Sequence, residues 1–204
     1  MLTAKKLLTY KSDLERAVNE RSSEIFFNDS ILHAMLIMKA LLQKAQNEDS
    51  KLLSVYCGNF SLFRDKTKIK VDNEKMNCSA NNLEANELEE WQNWDLYTDL
   101  QNKLRDFLNN GGHLDLIVQY QADDLPDNKV WRILSDGIQK EKVRIFQLKI
   151  NVGLDHFATT QEAYRLENSD ETKTATCCFC DEKNARILND NFKELIKLSE
   201  PFVA

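Results

Sequence analysis

The feature that most constrains the fold is the regular alternation of strand-like and helical segments along the 204 residues. Short runs rich in β-branched and aromatic residues are separated by segments whose apolar residues recur at helical spacing. We predict strands at 52–60, 114–120, 143–150 and 174–180, a hairpin at 156–167, and helices at 31–46, 96–109, 129–141 and 182–198. Strands that alternate with helices indicate a sheet with helices packed against it, and the hairpin requires mixed strand directions. The predicted fold class is therefore α/β, with a mixed sheet flanked by helices on both faces.

The length of the chain predicts one main domain with an appended element. Residues 1–23 are rich in charge and have few apolar positions, so we expect an N-terminal helical arm there and the α/β domain over residues 24–204. A long polar insertion at about 64–95 interrupts that domain. A loop longer than about 15 residues is usually functional or disordered, which makes the insertion a candidate for function.

Charge and apolar content exclude some classes of protein. The net charge of −6 argues against a nucleic-acid binder that works by bulk positive charge, although a local basic patch stays open. No run approaches 18 uninterrupted apolar residues, and the N-terminus lacks the apolar core of a signal peptide, so we expect no membrane partner. Five cysteines, three of them within four residues, are most simply reduced thiols in a cytoplasmic protein.

The clustered cysteines Cys177, Cys178 and Cys180 raise three alternatives: a metal site, a redox sensor and core packing. A zinc site needs a second ligand pair, and none stands at a suitable spacing. A redox thiol needs exposure and a lowered pKa. Small apolar side chains on both faces of a buried strand explain the run most simply. We predict no metal, and the absence of a glycine-rich nucleotide motif predicts no cofactor.

His156 opens the predicted hairpin, and Arg165 and Glu167 stand on its second arm. Residues two apart on a strand point to the same face, so the pattern brings an imidazole, a guanidinium and a carboxylate to one end of the sheet. Such a set can bind a phosphate and move a proton. An ordinary salt-bridged surface patch is the simpler alternative.

Trp91 and Trp94 lie three residues apart in the acidic segment EANELEEWQNWD. This spacing places both indoles on one side of a helix. They predict either a partner-binding helix or an anchor in the hydrophobic core.

Five phrases follow one another along residues 24 to 199: EIFFNDSILHAMLIMKALLQKA, a strand that ends in Cys57-Gly58-Asn59-Phe60, LRDFLNNGGHLDLIVQY, HFATTQEAYRLE and CCFCDEKNARILNDNFKELIKLS. In order and spacing they resemble the phospholipase D superfamily in its small single-domain bacterial form. The resemblance implies a fold like one phospholipase D half.

The signature of that superfamily is His-x-Lys, four further residues and an Asp. The resemblance implies that the histidine is a nucleophile, that the lysine holds the phosphate and that no metal takes part. Here His156 matches the histidine, but Ala158 occupies the lysine position and Ala163 the aspartate position. The asparagine that commonly follows falls near Cys178 or Cys180.

The resemblance therefore implies a degenerate domain that serves as a non-catalytic binding or assembly module. It also implies a homodimer in a bacterial restriction-like or phage-defence setting, with a nucleic acid or a protein as partner. One alternative is a metal-independent phosphodiesterase or nuclease, with His156 as nucleophile, Glu167 orienting it, and Arg165 and Asn59 binding phosphate. Another is a module that binds a protein partner through the 64–95 insertion and its two tryptophans.

Overall fold

The structure is a computed structural model that describes residues 3–58, 83–119, 129–169 and 174–202. Its strands are β1 (Ile25–Asn28), β2 (Leu52–Cys57), β3 (His113–Val118), β4 (Val143–Gln147), β5 (Phe157–Thr159), β6 (Tyr164–Ser169), β7 (Thr174–Cys178) and β8 (Glu200–Pro201). Its helices are α1 (Ala4–Glu20), α2 (Ile31–Asn47), α3 (Ala85–Asn93), α4 (Leu96–Asn109), α5 (Lys129–Gln139) and α6 (Glu182–Lys197).

All eight strands belong to one sheet, in the order β1-β7-β6-β5-β2-β3-β4-β8. Strands β2, β3 and β4 run parallel, and helix α5 lies between β3 and β4 in the chain, as a parallel crossover requires. Strands β5, β6 and β7 are antiparallel to one another, and β5 joins the parallel half by pairing antiparallel with β2. The predicted mixed sheet is confirmed.

Helices cover both faces of the sheet, as predicted. One face carries buried apolar side chains that pack against α1, α2, α4 and α5, among them Leu53, Val55, Leu114 and Leu116. The other face packs against α6 through a second set that includes Tyr56, Ile117, Phe157, Leu188 and Phe192. Successive residues of a strand point to opposite faces, so β2 and β3 contribute to both layers.

Helix α1 belongs to the first of these helical layers. Thr3 caps its N-terminus by accepting a hydrogen bond from the Lys6 amide. Its residues Leu7, Leu14 and Val18 are buried in the same core as α2. The described part of the segment that we expected as an arm therefore packs into the core of the domain.

The cysteine run packs as small apolar side chains on two faces. Cys177 and Phe179 lie in the core beneath α2, whereas Cys178 lies in the core beneath α6. Cys180 follows β7 and is partly exposed. Within the described residues no group of three or more His, Cys, Asp or Glu side chains is placed to hold a metal ion. None of the described helices is long and apolar enough to cross a membrane.

The turn between β5 and β6 is held by a buried carboxylate. Glu48 accepts hydrogen bonds from the Thr160 hydroxyl at 2.8 Å and from the Gln161 and Glu162 amides at 2.8 and 3.1 Å. The Lys44 ammonium donates to Glu162 at 2.5 Å and lies 3.9 Å from Glu48. These contacts fix the hairpin at the end opposite His156.

Candidate functional site

His156 lies immediately before β5, opposite Glu167 on β6. The Glu167 amide donates to the His156 carbonyl at 2.9 Å, which puts the two residues side by side across the hairpin. Their side chains meet on the same face, with 3.0 Å between His156 Nδ1 and Glu167 Oε2. The alternation of the hairpin thus brings together the imidazole and the carboxylate that the sequence singled out.

Arg165 is the third member of this cluster. Its guanidinium donates from Nη1 to Glu167 Oε1 at 3.0 Å, and the residue is only 5% exposed. Its Nε is buried and has no hydrogen-bond partner among the described residues. Burial by itself would raise the pKa of Glu167. The hydrogen bond from His156 and the charge of Arg165 outweigh burial, so the pKa of this carboxyl lies below its usual value.

Two residues that the sequence analysis did not select hold the other side of the imidazole. Gln119 follows β3 and presents Oε1 to His156 Nε2 at 3.3 Å. Gly58 follows β2, and a Cβ atom at that position would lie 3.0 Å from His156 Cε1 and 3.1 Å from Nε2. A larger residue at position 58 would therefore push the ring, so glycine is needed for this close approach. The Tyr56 ring meets the imidazole edge-on at 5.4 Å between centroids.

The His156–Glu167 pair has the geometry of a histidine oriented by a carboxylate. A carboxylate at Nδ1 favours the tautomer whose lone pair is on Nε2, the atom that a nucleophile or general base uses. The Gln119 amide can donate to that lone pair after a half-turn of its terminal group. The His156–Glu167 pair can therefore accept a proton at His156 Nε2 without a third residue.

The positions that the superfamily signature reserves for Lys and Asp do not supply charge here. Ala158 and Ala163 are 1% and 0% exposed and lie in the hydrophobic core. Arg165 supplies a positive charge next to the His156–Glu167 pair, and its Nη1 donates a hydrogen bond to Glu167.

Cys57, next to Gly58, does not offer a nucleophile either. Burial, and secondarily the charge of Glu167, raise the pKa of its thiol to about 12. The thiol is therefore protonated at neutral pH.

Asn59, expected to bind phosphate, lies outside the described residues. Its neighbour Gly58 lies against His156. The role of Asn59 stays a prediction.

The two tryptophans pack inward. Trp91 is 8% exposed and belongs to the core cluster, and Trp94 is half-buried against it. Their rings meet edge-on at 6.1 Å, and Trp94 Nε1 donates to Asp99 at 3.0 Å. Lys11 lies over the Trp94 ring at 5.4 Å. This packing favours the core-anchoring alternative over a partner-binding face, whereas the rest of the 64–95 insertion, up to residue 82, lies outside the described residues.

The chain matches no protein-family model and no curated protein. Solved structures share its fold. TrmBL2, an archaeal chromatin protein with a novel mode of DNA binding, aligns with a TM-score of 0.55 and 13% identity over 97% of this chain and 63% of its own. Polyphosphate kinase from Porphyromonas gingivalis aligns with a TM-score of 0.50 and 13% identity over 99% of this chain and 30% of its own. Nuc, a phospholipase D family member from Salmonella typhimurium, gives 0.49 and 6% identity over 90% of this chain and 99% of its own.

These likenesses concern the fold alone. The chain spans 63% of TrmBL2 and 30% of the polyphosphate kinase, so their further parts have no counterpart in it. The domain is α/β, with a mixed sheet between helices, and it shares this fold with TrmBL2.

Proposed function

We propose that this chain is a degenerate phospholipase D-like domain that binds nucleic acid without cleaving it. The observation that carries the proposal is the state of Arg165. Its guanidinium is 5% exposed and is neutralised by Glu167, so it is not presented to a phosphate at His156 Nε2. Phosphoryl transfer needs positive charge or hydrogen-bond donors aimed at the developing oxyanion.

Loss of that charge has a large effect on rate. Removing one such donor costs roughly 10²–10³ in turnover. At Ala158 the side chain is a buried methyl group, so the position cannot replace a lysine even after local rearrangement. The His156–Glu167 pair without an available cation therefore argues against cleavage, while the binding role is supported by the fold comparison.

Nucleic acid is the partner that the fold comparison favours. TrmBL2 is an archaeal chromatin protein whose structure shows a novel mode of DNA binding, and its likeness to this chain covers 97% of the chain. With a net charge of −6, binding is expected to be weak, local and sensitive to salt. A homodimer, a cytoplasmic location and a bacterial restriction-like or phage-defence setting are further parts of this proposal.

Fluorescence anisotropy with labelled single- and double-stranded oligonucleotides tests the binding role. We expect saturable binding that weakens about ten- to fortyfold between about 50 and 200 mM salt, as counterion release predicts for two or three phosphate contacts. The His156→Ala variant should bind the oligonucleotides more weakly than the wild type does. Lys193→Gln changes an exposed lysine paired with Asp190 and should bind as the wild type does. Absence of binding, or equal binding by the His156→Ala variant, would overturn the assignment to this site.

A second candidate function is a metal-independent phosphodiesterase or nuclease. The 3.0 Å contact between His156 and Glu167 favours it, because it leaves Nε2 as the basic atom. In that mechanism His156 Nε2 attacks phosphorus and the P–O bond to the leaving group breaks, the leaving oxygen taking a proton from solvent. Water then attacks phosphorus, and the P–N bond breaks to give back His156 and a phosphomonoester. Asn59 would then contact the phosphate, and Arg165 would do so only after leaving Glu167. Turnover in the presence of a chelator would distinguish this candidate from the first.

A further inference from the structure

A groove on the outer side of the helical layer lies between α1, α2 and α4. None of its lining residues belongs to the His156 cluster. Its volume is about 350 Å³, which falls at the lower end of the roughly 300–1,000 Å³ range of small-molecule sites. It is large enough for a single ring or a medium-length acyl chain.

The floor of this groove is apolar. It consists of Leu14 and Val18 from α1 and Leu36 and Ala40 from α2. All four side chains are buried in the core, so this floor is already formed before a ligand binds. A floor of this kind favours the hydrocarbon part of a ligand.

The rim carries three lysines in different states. Lys11 is paired with Glu90, and Lys39 donates to Asp99 at 2.9 Å. Lys103 donates to the Gln43 side-chain oxygen and has no carboxylate within ion-pair distance among the described residues. Burial and the neighbouring charge of Lys39 lower the pKa of Lys103, and together they outweigh the opposing effect of Asp106. An added negative charge is therefore expected to have its most favourable electrostatic interaction with the Lys103 ammonium.

We propose that the groove binds a small amphiphilic anion. Its carboxylate or phosphate head contacts Lys103 and Lys39, and its hydrocarbon body lies on the apolar floor. The two lysines interact unfavourably with each other, and an anion between them offsets that repulsion. Glu15, the carboxylate that also lines the groove, lies 4.0 Å from Lys11. The head is therefore expected at the Lys103 end.

Isothermal titration calorimetry with three probes tests this proposal. Sodium decanoate, monodecyl phosphate and decanol share one chain and differ in the head, and each is used below the concentration at which it forms micelles. We expect saturable binding of at least one of the two anions, and the tighter one identifies the head as carboxylate or phosphate. Binding of decanol at least as tight as that of both anions would overturn the role of charge.

Lys103→Met keeps most of the length of the side chain and removes its charge. A charge-assisted contact is expected to make this variant bind the preferred anion about tenfold more weakly. Lys193→Met removes an exposed lysine elsewhere and should leave binding unchanged. Ala40→Leu fills the floor and should weaken both anions, with its melting temperature checked against the wild type. No saturable binding of either anion, or equal binding by Lys103→Met, would overturn the proposal.

Discussion

Glu167→Gln is the change that most directly probes how the site is held. The carboxylate accepts from His156 Nδ1 and from Arg165 Nη1, each at 3.0 Å. A glutamine has one acceptor oxygen, so its amino group must face one of the two donors. It also removes the negative charge that neutralises a guanidinium only 5% exposed.

The magnitude follows from burial. Breaking a fully buried ion pair by removing one partner costs about 3–5 kcal/mol. The Glu167 side chain keeps 23% of its surface exposed, so solvent screens part of the loss and we expect about 2 kcal/mol. Urea unfolding at pH 7 measures this difference as a shift in midpoint. Glu194→Gln breaks an exposed pair with Lys197 and serves as the control, with less than about 0.5 kcal/mol expected.

The effect should depend on pH in one direction. Burial would raise the pKa of Glu167, but His156 and Arg165 lower it below the ordinary value of 4.5. A depressed folded pKa contributes stability above the unfolded pKa, and that stability is lost as the pH falls through the folded value. The difference between wild type and Glu167→Gln should therefore shrink below pH 4.5. Equal unfolding free energies at pH 7, or a difference that grows in acid, would refute this account of the cluster.

Three other changes probe the packing around the site. Gly58→Ala should cost about 1 kcal/mol because its methyl group meets His156, and the same change in a His156→Ala background should cost almost nothing; urea unfolding of both, with equal costs as the contradicting result, tests this. Lys44→Met should cost about 3 kcal/mol, since it leaves the buried Glu48 without its cation and Glu162 paired with the exposed Arg21 alone, and thermal unfolding unchanged from wild type would contradict it. Iodoacetamide at pH 8 should label Cys180 before Cys57, because both residues are partly exposed but the Cys57 thiol has a pKa raised to about 12, and mass spectrometry showing the reverse order would count against that raised pKa.

Local pattern predicted the parts of the site that lie on one hairpin. The two-residue period of a strand placed Arg165 and Glu167 on one face, and the short turn placed His156 opposite Glu167. Both relations depend on neighbours in the chain. The alternation of segments predicted the mixed sheet for the same reason.

Contacts between distant segments were beyond the sequence pattern. Gln119 reaches His156 only because β2 pairs in parallel with β3 and antiparallel with β5, a register that no local signal specifies. The apolar residues of α1 have the same helical spacing whether the helix forms a separate arm or packs against α2. The sequence therefore did not show that α1 lies in the core. The burial of Trp91 likewise depends on contacts between distant segments, which the sequence pattern does not specify.

A hydrolysis assay in excess EDTA tests whether the domain has the His156–Glu167 pair without catalytic activity. Wild type and His156→Ala are offered single-stranded DNA, double-stranded DNA, RNA and a chromogenic phosphodiester. Because Arg165 is buried against Glu167 and Ala158 carries no charge, we predict no turnover above the buffer blank for either protein. Turnover by the wild type that disappears in His156→Ala would contradict this prediction and establish a metal-independent phosphodiesterase.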